Sequence, residues 1–417
     1  MKKVYKLLNC DTTLAYFSFH DAYKSSEDII IIDTESVRFE DVPENKFPFI
    51  LKKYRDAMKL NTWLNSRALS LRRSNYRSFL RELRLVGRYQ LLLCSFALSL
   101  NDTFWICDEE LSIFWEDINL FSHSFSKEMA KLSFDSLNDS LGSIDQYNTP
   151  ELTTGGDLPK FWDRIDNKIF LYKGGIFEPL NEYLSSKIFE ELLIDHVTYS
   201  LVRSKQKWLS KCELFTNKET GFLTFMEALS AFNIDSSSYN SESFYTVLLE
   251  FGYDISTYYD MLIGDHIIRN VDRNLSNFGF IYDTATSKIL NLAPLFDHGA
   301  GFYENECVEF LSDRYNFFYK AFPSDLDLDG LLLNALSSNM KDRLRELHRS
   351  VFSGNLRNIL NLLVEKEALT ESRRQLIEDW INYIINFLLG FKRGDLINKS
   401  KEDFNKRVVN LTTLELF

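Results

Sequence analysis

Residues 268–299 constrain this chain more than any other stretch. In Ile268-Arg-Asn-Val-Asp-Arg-Asn-Leu-Ser-Asn-Phe-Gly-Phe-Ile281, Asp272 stands five positions before Asn277, and Asn277 leads directly into an apolar run. Phe278 to Tyr282 reads as a strand, Asp283-Thr-Ala-Thr-Ser287 as a hairpin turn, and Ile289 to Phe296 as the return strand. Leu292-Ala-Pro-Leu-Phe-Asp297-His-Gly299 then delivers a second Asp, twenty residues past Asn277. Asp and Asn cluster in ordinary turns because both bond their own backbone, so neither spacing alone decides anything. Their order does. A loop Asp can receive the proton of an attacking hydroxyl, an Asn five residues on can hold Mg2+ through its side-chain oxygen, and an Asp closing the hairpin can grip the metal from a second direction. The two segments together call for ATP-dependent phosphoryl transfer.

The phosphate-holding half is expected upstream. Thr153-Thr-Gly-Gly156 precedes a patterned hairpin, Lys160 to Ile165 and Lys168 to Lys173, with a turn at Asp166-Asn167. Glycines ahead of a hairpin let backbone N–H groups approach phosphates with no side chain in the way, which nominates Thr154, Gly155 and Gly156. Lys173 at the end of the second strand can reach the α/β-phosphates, whereas Lys168 near the turn is expected to face solvent. Pro179 to Leu193 carries apolar residues at helical spacing, and its Glu182, Glu190 and Glu191 are the acids available to hold Lys173.

Asn270-Val-Asp-Arg-Asn-Leu-Ser-Asn-Phe-Gly279 resembles the N-x-D-R-H-x-x-N-F-G motif of HipA-like bacterial serine/threonine kinases, together with Ala293-Pro-Leu-Phe-Asp-His-Gly299. Asn274 departs from the motif, standing where the family usually has His. The resemblance extends to Leu98–Ile106 and Trp115–Asn119, upstream of the kinase core. It implies an α+β, bilobal protein-kinase-like fold, with an N-terminal accessory region over 1–145, a strand-rich N-lobe over 146–218 and a mostly helical C-lobe over 219–417. It implies ATP and Mg2+ between the lobes, with Asp272 as base and Asn277 and Asp297 as metal ligands. Glu182 matches the family's N-E-x helix and is the partner implied for Lys173. Glu213 and Phe215, in Trp208-Leu-Ser-Lys-Cys-Glu-Leu-Phe215, match hinge positions beside adenine. The implied acceptor is a Ser/Thr hydroxyl of a protein, an aminoacyl-tRNA synthetase or the chain itself, and the implied partner a helix-turn-helix antitoxin of a toxin–antitoxin pair. A pseudokinase and an interaction scaffold remain the alternatives.

Composition narrows the field. A net charge of −12 argues against binding nucleic acid across the whole surface. Five scattered cysteines (Cys10, Cys94, Cys107, Cys212, Cys307) with no C-x-x-C read as reduced thiols of a cytoplasmic protein, not as disulfides or a zinc site. His266 and His298 read as structural. Met1-Lys-Lys-Val-Tyr-Lys lacks the apolar core of a signal peptide, and Trp380 to Gly390 is too short to span a bilayer. Arg67, Arg72, Arg73, Arg77, Arg81, Arg84 and Arg88 are expected along one helical stretch from near Leu60. The interleaved Leu71, Phe79, Leu80, Leu83 and Leu85 favour an amphipathic helix over a DNA reader. The tail from Leu326 to Phe391 patterns as a helical bundle.

Overall fold

A computed structural model describes residues 2–20, 30–134, 149–205, 207–270, 272–302 and 321–395. Val271, Cys307 and the break expected at 145 lie outside the described residues.

Strands β1 (Tyr5–Asn9), β2 (Thr12–Phe19), β3 (Ile32–Phe39) and β4 (Phe104–Asp108) form an antiparallel sheet of order β3-β2-β1-β4. One face buries Leu7, Phe17, Phe19 and Ile106 against Trp63, Leu64 and Tyr89 of the following helices. The arginine-rich stretch forms three short helices instead of the single one expected: Ala57–Arg67, Tyr76–Glu82 and Arg88–Cys94. Left-handed backbone at Arg84 (φ 55°) lies in the second break, and arginine side chains close the end of the first helix. Arg67 is buried against Asp102, and Arg88 donates to the carbonyls of Asn65, Ala68 and Leu69, satisfying the open C-terminus of the first helix. Side chains spent on internal carbonyls and carboxylates are not presented to a phosphate backbone.

Strands β5 (Lys160–Ile165) and β6 (Lys168–Lys173) pair from Lys160↔Lys173 to Ile165↔Lys168. Asp166 and Asn167 both take left-handed backbone (φ 49° and 65°), as a two-residue hairpin turn of matching twist requires. Trp162 and Ile169 of this hairpin share one core with Leu8, Trp105 and Trp115. Strands β7 (Tyr199–Ser204) and β8 (Lys207–Glu213) are neighbours, and just past β8 the Leu214 N–H donates to Ile169 O at 2.8 Å. Strands β9 (Thr220–Thr224), β10 (Gly279–Asp283) and β11 (Ile289–Leu292) form a third sheet, order β11-β10-β9. The expected hairpin is present, but its return strand ends at Leu292, not Phe296. Pro294 has no N–H to continue the ladder, and Leu295 pairs instead with the segment around His196.

Contacts divide the chain into two compact units: Met1–Gly175, Lys211–Asp235 and Gly279–Ala293 form the first, and Ile176–Ser210, Ser236–Phe278 and Pro294–Phe417 the second. These limits differ from breaks at 145 and 218. The core around Trp105 and Trp162 joins the N-terminal sheet to the β5–β6 hairpin, and the β9–β10 pairing draws the β10–β11 hairpin into the first unit. The second unit is mostly helical, with helices Glu178–Leu192, Ser241–Glu250, Tyr259–Ile268, Leu328–Ala335, Ser338–Ser353, Asn355–Glu365 and Glu371–Leu389. Tyr259–Ile268 is its axis: residues 261–268 are all buried, and Trp380 Nε1–H donates to Ile267 O at 2.7 Å. Among the described residues no helix is long and apolar enough to cross a membrane.

Candidate active site

In the second unit the loop after Tyr259–Ile268 is organised by a residue that sequence reasoning passed over. Arg273, 2% exposed, donates Nε and Nη2 to the two oxygens of Asp265 at 2.9 Å each. Its Nη1 donates to Asn277 O and to Phe296 O, both at 2.7 Å, and Nη2 also donates to His298 Nδ1 at 3.2 Å. One guanidinium thus ties the Asp272–Asn277 loop to the Asp297 segment through charge-assisted bonds. Burial, then the adjacent Arg273, holds the His298 imidazolium pKa well below its usual range. The ring therefore stays neutral, accepting at Nδ1 and donating Nε2–H to Leu295 O at 3.1 Å. Asn270, fully buried, donates to Asp265 Oδ1 and accepts the Asp272 N–H.

Asp272 itself is exposed. Its carbonyl receives the side-chain amides of both Asn274 (3.1 Å) and Asn277 (3.0 Å). Asn274, which stands where the motif it resembles has His, also accepts the Ser276 N–H at 2.9 Å and so supplies local turn bonds. With Nδ2 committed to Asp272 O, the group left to Asn277 for a metal is Oδ1.

Asp297 follows a segment aligned by Leu295, whose N–H donates to Asp195 O (3.1 Å) and whose O accepts the Val197 N–H (2.8 Å). Asp297 has φ 59°, a left-handed backbone, and its N–H donates to Tyr199 Oη at 3.1 Å. Gly299 is required two residues later: a Cβ there would come within 3.0 Å of Glu178 Cβ. Its carbonyl accepts from Asn181 Nδ2 at 2.8 Å, and Asn181 Oδ1 in turn accepts from Arg373. Asn181 was given no role of its own, although it is the Asn of the N-E-x match that nominated Glu182. Glu182 is 1% exposed and accepts from Ser210 Oγ. Glu190 pairs with Lys187, and Glu191 accepts from Ser350 Oγ, so Glu182 is the buried acid of the three.

In the first unit, Gly155 O accepts from Lys160 Nζ at 2.6 Å, and Gly156 O accepts from Arg73 Nη1 at 3.1 Å. Across a planar trans peptide the N–H points opposite to the carbonyl, so the N–H groups of Gly156 and Asp157 point away from these cations. Gly156 has φ 83°, and a Cβ there would meet Lys160 Nζ at 2.5 Å. Arg73 and Lys160 were not predicted to shape this loop. Thr154 Oγ1 donates to Pro150 O and accepts from Trp162 Nε1. Lys173 is buried, while Lys168 is exposed and pairs with Glu213 at 2.8 Å. That pairing occupies the Glu213 carboxylate; Phe215 packs edge-on against Phe222.

Beneath the glycines, Glu151 is fully buried, with Oε1 accepting the Trp162 N–H and Oε2 lacking any hydrogen-bond partner among the described residues. Burial pushes its carboxyl up to about 7. Because this folded-state value lies above the unfolded one, the stabilisation from the bound proton is complete below about pH 4.5 and is lost as pH rises through 7. Glu151→Gln is therefore expected to be more stable than the wild type at pH 8, by an order of 1–3 kcal/mol, and to match it near pH 4.5. Chemical denaturation of both proteins at the two pH values measures the difference.

Among the described residues no three His, Cys, Asp or Glu side chains cluster as a self-sufficient metal site. One Asp and one Asn fit Mg2+, which keeps several waters and takes its remaining ligands from phosphates.

No family model matches the chain, and no curated protein matches it in sequence. Among solved structures it is similar to HipA of Shewanella oneidensis MR-1, from the toxin–antitoxin complex of HipA, HipB and operator DNA. That likeness has TM-score 0.53 and 12% identity over 95% of this chain and 99% of that one. The Helicobacter pylori proinflammatory kinase CtkA aligns with TM-score 0.41 and 16% identity over 55% of this chain and 92% of that one. The near-complete coverage of HipA shows the fold: an α+β, HipA-like kinase fold, as the sequence motifs predict.

Proposed function

We propose that the chain is an ATP- and Mg2+-dependent kinase that transfers the γ-phosphoryl group to a Ser or Thr hydroxyl of a protein. The observation that carries this reading is the Arg273 network, which holds the Asp272–Asn277 loop and the Asp297 segment as one piece. Asp272 aligns the acceptor hydroxyl and takes its proton. Asn277 Oδ1 and the Asp297 carboxylate are the metal ligands; Mg2+, when bound, neutralises charge on the phosphates. The backbone N–H groups of the Thr154-Gly155-Gly156 loop cradle phosphate oxygens, and Lys173, held by Glu182, neutralises the α/β-phosphates. Glu213 and Phe215 flank the adenine, Glu213 through its backbone because its carboxylate is on Lys168. The acceptor is a cytoplasmic protein such as an aminoacyl-tRNA synthetase, or the chain itself. A helix-turn-helix antitoxin is the proposed partner, since the Shewanella HipA was solved in a toxin–antitoxin complex with HipB and operator DNA.

A thermal-shift experiment tests the nucleotide and metal together. A ligand bound only by the folded state adds about 2.7 kcal/mol at a hundredfold excess over Kd, enough to raise Tm by a few degrees. ATP with Mg2+ is expected to stabilise the wild type more than ATP alone, and Asp297→Asn is expected to lose that extra increment. An undiminished increment in Asp297→Asn would remove Asp297 from the metal site. A shift without any transfer would make the chain a nucleotide-binding pseudokinase, and no shift would leave an interaction scaffold.

A further inference from the structure

The first unit contains a cavity of about 110 Å³ that none of the proposed phosphotransfer residues lines. Its walls include Trp63, Phe104, Phe222 and Tyr282, and Thr62 and Ser66 are exposed beside it. An apolar cavity of about 150 Å³ holds benzene, so this one suits a body of roughly five or six heavy atoms.

Its polar lining is unbalanced. Arg67 and Asp102, both buried, neutralise each other; Arg67 also donates to Ala97 O and lies over the Trp63 ring at 4.5 Å, and Asp102 accepts the Phe104 N–H. A second carboxylate, Glu227, has no cation of its own. Its Oε2 accepts from Thr224 N and Oγ1, while its Oε1 accepts no hydrogen bond from the described residues. Tyr282 is 3% exposed and lines the cavity. Two carboxylates thus face one guanidinium, and a phenol stands with them. Glu227 is half-buried and caps the helix that starts at Phe225, with Arg67 the cation acting on it; a second cation entering beside its free oxygen would be attracted to it.

We propose that this cavity binds a small organic amine, its ammonium held by Glu227 Oε1 and Tyr282 Oη and its apolar body by the aromatic walls. Nothing in this proposal depends on phosphoryl transfer. At the rim, Lys59 Nζ lies 3.5 Å from Ser230 O, and this cation would favour an anion instead, so the two charges compete and the test includes both.

Calorimetric titration of the full chain with isopentylamine, isopentanol and isovalerate decides the matter. The amine is expected to bind about tenfold more tightly than the alcohol, the factor for one hydrogen bond to a charged group, with isovalerate weakest. Glu227→Gln, which keeps an acceptor for Thr224, is expected to abolish the preference for amine over alcohol. Ser66→Trp, at an exposed position, is expected to block both ligands without changing Tm. Amine affinity no greater than that of the alcohol, tighter binding of isovalerate, a preference surviving in Glu227→Gln, or binding surviving in Ser66→Trp would each overturn the proposal.

Discussion

Arg273→Met is expected to destabilise the second unit by about 3–5 kcal/mol, the cost of breaking a buried ion pair from one side. Methionine fills much of the volume, so the loss is electrostatic. The Asp265 carboxylate would stay buried without its bidentate partner, and the carbonyls of Asn277 and Phe296 would lose charge-assisted donors. Urea denaturation measures the loss directly. Asp265→Asn combined with Arg273→Met should recover part of it, because the stranded charge is gone; the double-mutant cycle isolates the coupling. A loss under about 1 kcal/mol in the single variant would mean that Arg273 is not what holds the loop.

Local signals carried far in this chain. The β5–β6 and β10–β11 hairpins lie where alternation and turn residues put them, since a two-residue turn such as Asp166-Asn167 reports its own geometry. The helix of Glu178–Leu192 and the helical tail follow from apolar spacing. What stayed hidden depends on partners distant in sequence. Asn181 holds Gly299, 118 residues away, and Arg73 holds Gly156, 83 residues away; neither bond leaves a local pattern. For the same reason the arginine-rich stretch read as one helix. At the end of the first helix Arg67 is drawn to Asp102, and Arg88 to the helix-end carbonyls. Asp265 was visible ahead of the loop, but nothing near it showed that Arg273 would take both of its oxygens.

Asn274 shows the limit of motif matching. Its difference from His stands out in the sequence, yet its consequence emerges only from the bonds to Asp272 O and Ser276 N, which complete the turn from within. The motif's Asp and Asn keep their loop although one residue between them has changed.

Transfer from γ-labelled ATP with Mg2+, by wild type and by Asp272→Ala, with and without cell lysate, tests the central claim most directly. The Asp272 side chain is exposed, and Asn270, Asn274 and Asn277 hold the loop through the Asp272 backbone, which alanine retains, so the variant should fold and bind ATP as the wild type does. Loss of a general base lowers rates by about 10²–10⁴-fold. The account predicts labelled protein with the wild type and a loss of that order with Asp272→Ala at unchanged nucleotide affinity; undiminished transfer by the variant, or none by the wild type, would contradict it.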